Sequence, residues 1–184
     1  GEALWDIMCG SGTIVIEAAE QTKGLAAGRN RHFAFEKFNC FDAARFAAID
    51  RQRTMRGPTT LWGSDVNAGA LGVARRNAKR ANVAEAIDFE RRDAIQLDVK
   101  PGVSTGLLIA NLPYGQRVGV RDELAKLYRG VGLSLRRSFG GWRFAFLLET
   151  GVEHLNLPID RQTPVDNGGI RCQFVVGHIP PKGV

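Results

Sequence analysis

Short apolar runs alternate with stretches of helical spacing along most of this chain, and the runs tend to end in a polar side chain. The first four end at or close to Asp6, Asp65, Asp93 and Asn111. Strands that alternate with helices build a mostly parallel sheet with helices on both faces. We therefore predict an α/β fold in which these four polar residues meet at one edge of the sheet.

The C-terminal part of the chain is predicted to complete the sheet as an antiparallel hairpin. A fifth strand is expected over residues 142–150, and β-rich runs follow at 163–165 and 170–179. Between the last two runs lies Asp166-Asn167-Gly168-Gly169, which is typical of a tight hairpin turn. The prediction is a seven-stranded sheet.

Three helices are predicted between the strands. The first opens over residues 14–19, and one over about 122–137 has an apolar stripe. The helix after the second strand has its apolar face at Leu71, Ala74, Ala78 and Ala81. Residues 24–57 interrupt the alternation, and we predict an inserted helical segment there because of the spacing of Phe35, Phe38, Phe41, Ala44, Phe46 and Ile49.

Composition limits the classes of protein that fit. With 184 residues, 44% hydrophobic and 24% charged, the chain is predicted to form one globular domain over residues 1–184. No apolar run is long enough to cross a membrane, so no membrane partner is expected. The three cysteines match no metal-ligand spacing, which predicts no metal and a reduced, cytoplasmic location. The net charge of +6 favours a polyanionic partner.

The first turn, Gly10-Ser11-Gly12, allows a ligand to approach the backbone closely. A dinucleotide site would need a third glycine, and a phosphate-binding loop would need Gly-Lys-Ser/Thr; the chain has neither here. Asp65 fits a residue that accepts hydrogen bonds from two ribose hydroxyls, or else it caps the following helix. Asp93 would accept from an adenine amino group and Asp6 would orient an ammonium, which together describes a pocket for S-adenosylmethionine.

Asn111-Leu112-Pro113-Tyr114 follows the apolar run 107–110 and combines an amide with an aromatic ring. The Asn111 oxygen and a neighbouring main-chain carbonyl can each accept a hydrogen bond from one N–H of an exocyclic amine, while Tyr114 offers a flat face to a base. The same tetrapeptide is also an ordinary turn, because Pro113 fixes φ and Asn tolerates unusual backbone angles.

These motifs resemble a known family. Residues 5–19 read WDIMCGSGTIVIEAA and are similar to the D-P-M-C-G-S-G-T motif of THUMP-linked, S-adenosylmethionine-dependent RNA methyltransferases that modify guanosine N2. Further matches are AGRNR at 27–31, FAFEKF at 33–38, GSD at 63–65 and NLPYGQR at 111–117. Ile7 and Leu112 each stand where the family pattern has a proline. N-L-P-Y also resembles a motif of ribosomal adenine dimethyltransferases.

The resemblance implies a Rossmann-like class I methyltransferase fold and a cofactor, S-adenosylmethionine. It implies cofactor contacts at Asp6, Met8, Gly10, Ser11, Gly12, Thr13, Asp65, Asp93 and Ala94. The catalytic set would be Asn111, Leu112, Pro113 and Tyr114, and the RNA contacts Arg29, Arg31 and Arg117.

The function that this resemblance implies is methyl transfer to guanosine N2 in rRNA or tRNA. Because the first strand lacks its beginning, we also expect the chain to be a fragment that a THUMP domain precedes in the full-length protein. Two alternatives stay open at this point: an adenine-N6 methyltransferase acting on DNA or rRNA, and a catalytically silent RNA-binding module.

Overall fold

The computed structural model describes residues 2–29, 31–50, 60–100, 102–114 and 120–181. Its strands are β1 (Ala3–Asp6), β2 (Thr60–Asp65), β3 (Asp88–Arg91), β4 (Gly106–Asn111), β5 (Arg143–Leu148), β6 (Arg161–Asn167) and β7 (Ile170–His178). They form one sheet in the order β3-β2-β1-β4-β5-β7-β6. The first five strands are parallel, and β7 is antiparallel to both β5 and β6. The predicted seven-stranded sheet with a terminal hairpin is confirmed.

Helices cover both faces of this sheet, as predicted. They are α1 (Thr13–Thr22) and α3 (Ala68–Arg80) on one face and α4 (Val120–Ser138) on the other, while α2 (Ala43–Asp50) belongs to the inserted segment. Side chains on β1 alternate between two buried clusters: Leu4 packs with Val15 of α1 and Ala78 of α3, whereas Trp5 packs with Val131 of α4. Period-two alternation along the strand thus divides the core into two layers. In the part of the chain that the structure describes, no helix has the length and apolarity to cross a membrane.

The inserted segment is helical in two short pieces rather than in one. A 3₁₀ turn covers Ala34–Lys37, the backbone is extended at Phe38, and α2 begins only at Ala43. The helical spacing of Phe35, Phe38 and Phe41 therefore does not come from a single helix, which corrects that part of the prediction. The last seven residues of the insertion, 51–57, lie outside the described residues.

The hairpin turn has the geometry that its glycines predict. Gly168 and Gly169 have φ of 63° and 85°, and the Asp166 carboxylate accepts a hydrogen bond from the Gly169 N–H at 2.8 Å. Two consecutive left-handed residues match the right-handed twist of the flanking strands. The turn fixes the register that pairs Asn167 with Ile170.

Gly132 of α4 is expected to tolerate no side chain. A Cβ atom there would lie 1.8 Å from the Leu155 carbonyl oxygen, a backbone atom of the turn Val152–Leu155 that packs on the helix. Because overpacking typically costs about 1–3 kcal/mol, Gly132→Ala should lower the free energy of unfolding by at least that amount in urea titrations.

Gly72→Ala provides the matched control for this prediction. Gly72 also lies inside a helix, but a Cβ atom there would meet only the Arg76 side chain, at 3.6 Å. Alanine should therefore stabilise α3 by about 0.5–1 kcal/mol through helix propensity. Equal stabilities for the two variants would contradict the close approach at Gly132.

Candidate active site

The ends of β1, β2 and β4 meet where the strand order reverses, between β1 and β4. Ligands of open α/β sheets bind at this point, outside the carboxyl ends of the strands. A cavity of about 470 Å³ lies there, and its walls include Met8, Asp65, Asp93, Ala94 and Asn111. The structure thus brings together five residues that sequence reasoning assigned to two different ligands.

The turn after β1 is held by Asp65 rather than by its own side chains. Gly10, with φ of 52°, donates its N–H to Asp65 Oδ2 at 2.9 Å. Asp65 Oδ1 accepts a second backbone hydrogen bond, from Asn67 at 2.8 Å. Each carboxylate oxygen keeps one lone pair for a ligand. Asp65 therefore fixes the loop and faces the cavity at the same time.

Asn67 caps α3, which answers the alternative role considered for Asp65. The Asn67 side-chain oxygen accepts from the N–H groups of Gly69 and Ala70, at 2.8 and 3.2 Å. An Asn at this position satisfies two otherwise free donors of the helix terminus. Asn67, rather than Asp65, therefore caps α3.

Gly12 is required by packing as well as by backbone geometry. Its φ is 83°, and a Cβ atom would lie 3.1 Å from both Ala74 Cβ and Ile16 Cδ1. The glycine therefore lets α3 approach the first turn closely. The neighbouring hydroxyls of Ser11 and Thr13 lie 3.2 Å apart and line a shallow groove between α1 and α3. The structure places Ser11 and Thr13 in this groove and not in the wall of the cavity, and their contact with the cofactor stays a prediction.

Asp6 lies beneath the cavity instead of in its wall. Its side chain is 1% exposed, and the Met8 N–H donates to Oδ1 at 3.4 Å. Burial raises the pKa of the Asp6 carboxyl to about 7, the Met8 N–H opposes that shift, and the charge of Asp65 adds to it. The expected direct contact between Asp6 and a ligand ammonium is therefore not prepared in this structure, because the cavity floor covers the carboxyl.

Asp6→Asn should change how stability depends on pH. In the folded chain Asp6 keeps its proton up to about pH 7, whereas in the unfolded chain it ionises near 3.8. The unfolded state thus binds fewer protons between these values, and the wild type loses stability as the pH rises through this window. The advantage of the wild type over Asp6→Asn should fall by up to about 4 kcal/mol from pH 4 to 7. If urea titrations showed the same change of the free energy of unfolding with pH for the wild type and for Asp6→Asn, the raised pKa of Asp6 would be contradicted.

Asp93 and Ala94 form the far wall of the cavity. Asp93 caps the short turn Ala94–Gln96, since its Oδ1 accepts from the Ile95 N–H at 3.1 Å. Ile95 and Leu127 complete an apolar surface on this side. A carboxylate beside apolar walls is suited to a flat, partly polar ring such as a purine.

Asn111, the last residue of β4, lines the cavity, and the loop that follows it is held by hydrogen bonds from other elements. The Asn111 side chain is exposed and has no hydrogen-bond partner among the described residues, whereas Leu112 is fully buried. Tyr128 Oη donates to the Pro113 carbonyl at 2.7 Å, and Asn167 Nδ2 donates to Tyr114 Oη at 2.8 Å. The amide is therefore free to bind a ligand while its neighbours are fixed.

The two departures from the family's motifs share one physical reason. The Ile7 N–H donates to the Ile109 carbonyl at 3.0 Å, and the Leu112 N–H donates to the Leu147 carbonyl at 2.9 Å. Proline has no N–H and could make neither bond. Each substitution extends the parallel sheet by one hydrogen bond beside the cavity.

Of the three arginines expected to contact RNA, the structure describes Arg29 and Arg31, and neither lines the cavity. Arg29 pairs with Glu20 at 3.1 Å and donates to the Ala81 carbonyl. Both partners lie at the C-terminal ends of α1 and α3, at the opposite edge of the sheet, which corrects its placement. Arg31 lies over the Phe33 ring at 4.6 Å, in the insertion. Arg117 lies outside the described residues.

The sequence analysis missed three kinds of residue around the site. These are the apolar side chains of the cavity wall, the residue that holds the loop at Pro113, and the residue that holds the Tyr114 ring. The walls include Val66, Ile95 and Leu127, and the two supports are Tyr128 and Asn167. Tyr128 gave one usable signal, because a tyrosine within an apolar helix stripe needs a partner for its hydroxyl. Among the described residues, no group of three or more His, Cys, Asp or Glu could hold a metal ion.

The strand order, the antiparallel β7 and the cavity at the switch point define the Rossmann-like class I fold of S-adenosylmethionine-dependent methyltransferases. A possible methylase from Clostridium difficile 630 has the same fold, with a TM-score of 0.84 and 30% identity over 100% of this chain and 49% of its own. The putative methyltransferase SMU.472, solved with SAH, matches with a TM-score of 0.81 and 24% identity over 100% of this chain and 49% of its own.

The family is shown by the sequence itself. The model of RMKL-like methyltransferase domains matches residues 1–172, and the chain belongs to this family. The ribosomal RNA large subunit methyltransferase K/L of Shewanella frigidimarina is 39% identical over 179 residues, which is 92% of this chain and 25% of that protein. A second K/L protein, from Shewanella sp. strain ANA-3, is 36% identical over 181 residues, 93% of this chain and 25% of its own length. The chain thus spans about a quarter of the length of these relatives.

Proposed function

We propose that this chain is the catalytic domain of an S-adenosylmethionine-dependent RNA methyltransferase that modifies the N2 amine of a guanosine. One observation carries the proposal: an exposed Asn111 side chain, with no hydrogen-bond partner among the described residues, lies at the wall of the switch-point cavity beside the buried Leu112 and the fixed Tyr114. A methyltransferase domain needs an acceptor site next to its cofactor. This loop has the donors, acceptors and ring for a nucleobase amine.

The cavity fits the proposed cofactor. Its volume of about 470 Å³ lies within the range for sites that hold small molecules and cofactors. Asp65 would accept hydrogen bonds from the ribose hydroxyls with its remaining lone pairs, and Asp93 would accept from the adenine amine. Met8, Ala94 and Ile95 would contact the apolar parts. When bound, S-adenosylmethionine supplies an electrophilic methyl group.

The residues of this chain would bind the acceptor amine and orient it toward the methyl group. Asn111 Oδ1 and the Leu112 carbonyl would each accept one N–H of the amine, which leaves its lone pair directed to the cavity. The Tyr114 ring would stack on a base that is flipped out or already unpaired. Orientation and electrostatic complementarity of this kind supply large parts of enzymatic rate enhancements.

For the RNA substrate, we place rRNA ahead of tRNA. The names of the relatives from Shewanella specify large-subunit ribosomal RNA. Since this chain corresponds to about a quarter of those proteins, we further propose that an upstream THUMP domain in the full-length protein contributes to substrate choice. The acceptor loop itself contacts one base, so selection of the nucleotide depends on surfaces beyond it.

Nucleoside analysis tests this proposal directly. The full-length protein would be incubated with S-adenosylmethionine and rRNA or tRNA from a strain that lacks it, and the digested RNA analysed by mass spectrometry. We expect N2-methylguanosine to increase. N6-methyladenosine in its place would support the adenine-specific alternative, and RNA binding without any cofactor binding would support a silent module.

A further inference from the structure

The insertion between α1 and β2 concentrates both charge and aromatic side chains. Residues 24–57 contain seven Arg and Lys against three Asp and Glu, so this fifth of the chain carries +4 of its net charge of +6. They also contain five of the ten phenylalanines. None of these five belongs to either buried cluster of the fold. The segment therefore has a composition and an exposure that the core does not explain.

The phenylalanines pack on one another and leave one side open. Phe33 stacks on Phe35 with ring centroids 5.2 Å apart and an angle of 14° between the rings. Phe46 closes the group edge-on, 5.4 Å from Phe35 and 5.8 Å from Phe41. Phe35 and Phe46 still remain 39% and 37% exposed, and Phe38 is 62% exposed. Phe35, Phe38 and Phe46 thus form an aromatic platform that is partly exposed to solvent.

Among the described side chains of the insertion, cations outnumber acids: Arg29, Arg31, Lys37 and Arg45 stand against Glu36 and Asp42. The Glu36 carboxylate accepts from the Phe33 N–H at 2.9 Å and pairs with His32. The Asp42 carboxylate accepts from the Arg45 N–H at 2.9 Å. Both acids therefore hold the backbone, whereas the Lys37 and Arg45 side chains form no ion pair with any described residue. An exposed aromatic group edged by free cations suits an anionic partner that has flat rings.

We propose that this aromatic-basic surface, formed by Arg31, Phe35, Lys37, Phe38, Arg45 and Phe46, binds single-stranded RNA. The proposal rests on the proposed RNA substrate and adds a place where the strand is held. Bases stack on aromatic rings with little sequence preference, and Lys and Arg contact the phosphates. Arg31, which lies over Phe33 at 4.6 Å, shows that the platform already accepts a planar cation on a ring face.

Fluorescence anisotropy with a labelled, unstructured 12-nucleotide RNA tests the proposal without cofactor. Stacking is worth about 1–3 kcal/mol per base, so Phe38→Ser should raise the Kd at least about fivefold. Phe38→Trp should restore binding. Since Trp5, Trp62 and Trp142 are buried, a new exposed indole should be quenched by the RNA. Lys37→Gln with Arg45→Gln should reduce the salt dependence of the Kd.

Leu133→Ser is the matched control, because Leu133 lies on α4 and is 61% exposed, almost the same as Phe38. It should leave the Kd unchanged, and duplex RNA should compete poorly because paired bases cannot stack on the platform. The proposal is overturned if Phe38→Ser binds RNA like the wild type. It is also overturned if that variant changes only self-association or attachment to another domain of the full-length protein.

The outcomes separate this proposal from the proposed function. Asn111→Ala should lower methyl transfer while it raises the Kd for the 12-nucleotide RNA much less than Phe38→Ser does, since Asn111 is not part of the aromatic-basic surface. If Phe38→Ser has no effect while the nucleoside product is N2-methylguanosine, the surface is wrong and the enzyme assignment stands. If Phe38→Ser weakens RNA binding while no methylated nucleoside forms, the surface stands and the enzyme assignment fails.

Discussion

Asn111→Ala is expected to lower the rate of methyl transfer by about 10²- to 10³-fold, the range seen when one positioned hydrogen-bonding group is removed from an active site. The Asn111 side chain is exposed at the cavity wall and takes no part in the fold's hydrogen bonds among the described residues. Its removal should therefore leave stability and cofactor binding nearly unchanged. Single-turnover transfer of a tritiated methyl group to RNA would measure the rate, and calorimetry the cofactor Kd.

Asn111→Asp refines this prediction. Aspartate keeps an acceptor oxygen at the same position, so this variant should retain more activity than Asn111→Ala. Tyr128→Phe serves as a second comparison, because it removes the hydrogen bond to the Pro113 carbonyl without removing the acceptor amide. Tyr128→Phe should lower the rate of methyl transfer less than Asn111→Ala does, because it only loosens the loop. Full activity of Asn111→Ala would exclude the proposed role of the amide.

Asp65→Ala is expected to weaken cofactor binding by about a hundredfold or more. Two hydrogen bonds from ribose hydroxyls to a charged acceptor would be lost, and a bond to a charged group contributes about 1.5–3 kcal/mol. The change also removes the acceptor that holds the Gly10 N–H at 2.9 Å, so the first turn should loosen. Isothermal calorimetry with S-adenosylmethionine or its product would give the Kd.

Asp88→Ala is a suitable control for Asp65→Ala. Asp88 begins β3, at the edge of the sheet opposite the cavity, and pairs with Lys100 at 3.1 Å. Its removal should leave the cofactor Kd unchanged. If both variants bind the cofactor like the wild type, Asp65 acts only on the loop and the proposed ribose contact is wrong.

The sheet was predictable because its signals are local. The short apolar run of β1 and the paired glycines at 168 and 169 each determine one element. The parallel order follows from strands that alternate with helices. The polar residues at the strand ends then had to meet at one edge, which is why Asp65, Asp93 and Asn111 were correctly expected to lie close together.

Other parts of the site depend on contacts that sequence spacing does not encode. Arg29 was misplaced because it lies shortly after the C-terminal end of α1, where it pairs with Glu20, and the sequence motifs do not show at which edge of the sheet that end lies. The burial of Asp6 could not be seen either, since a strand-end carboxylate can point above or below the turn that covers it. Tyr128 and Asn167 act across 15 and 53 residues of chain, respectively.

The hydrogen bond from Asn167 to Tyr114 connects the last hairpin of the sheet to the ring beside the acceptor amide. The hairpin takes no part in the cofactor cavity, whose described walls come from residues 7–127. The hairpin therefore supports the ring that we propose to stack on the base, and it does so without lining the cavity that we propose for the methyl donor. An exchange of residues 166–170 between members of this family would be a way to retune which nucleotide is accepted while the donor site is inherited intact.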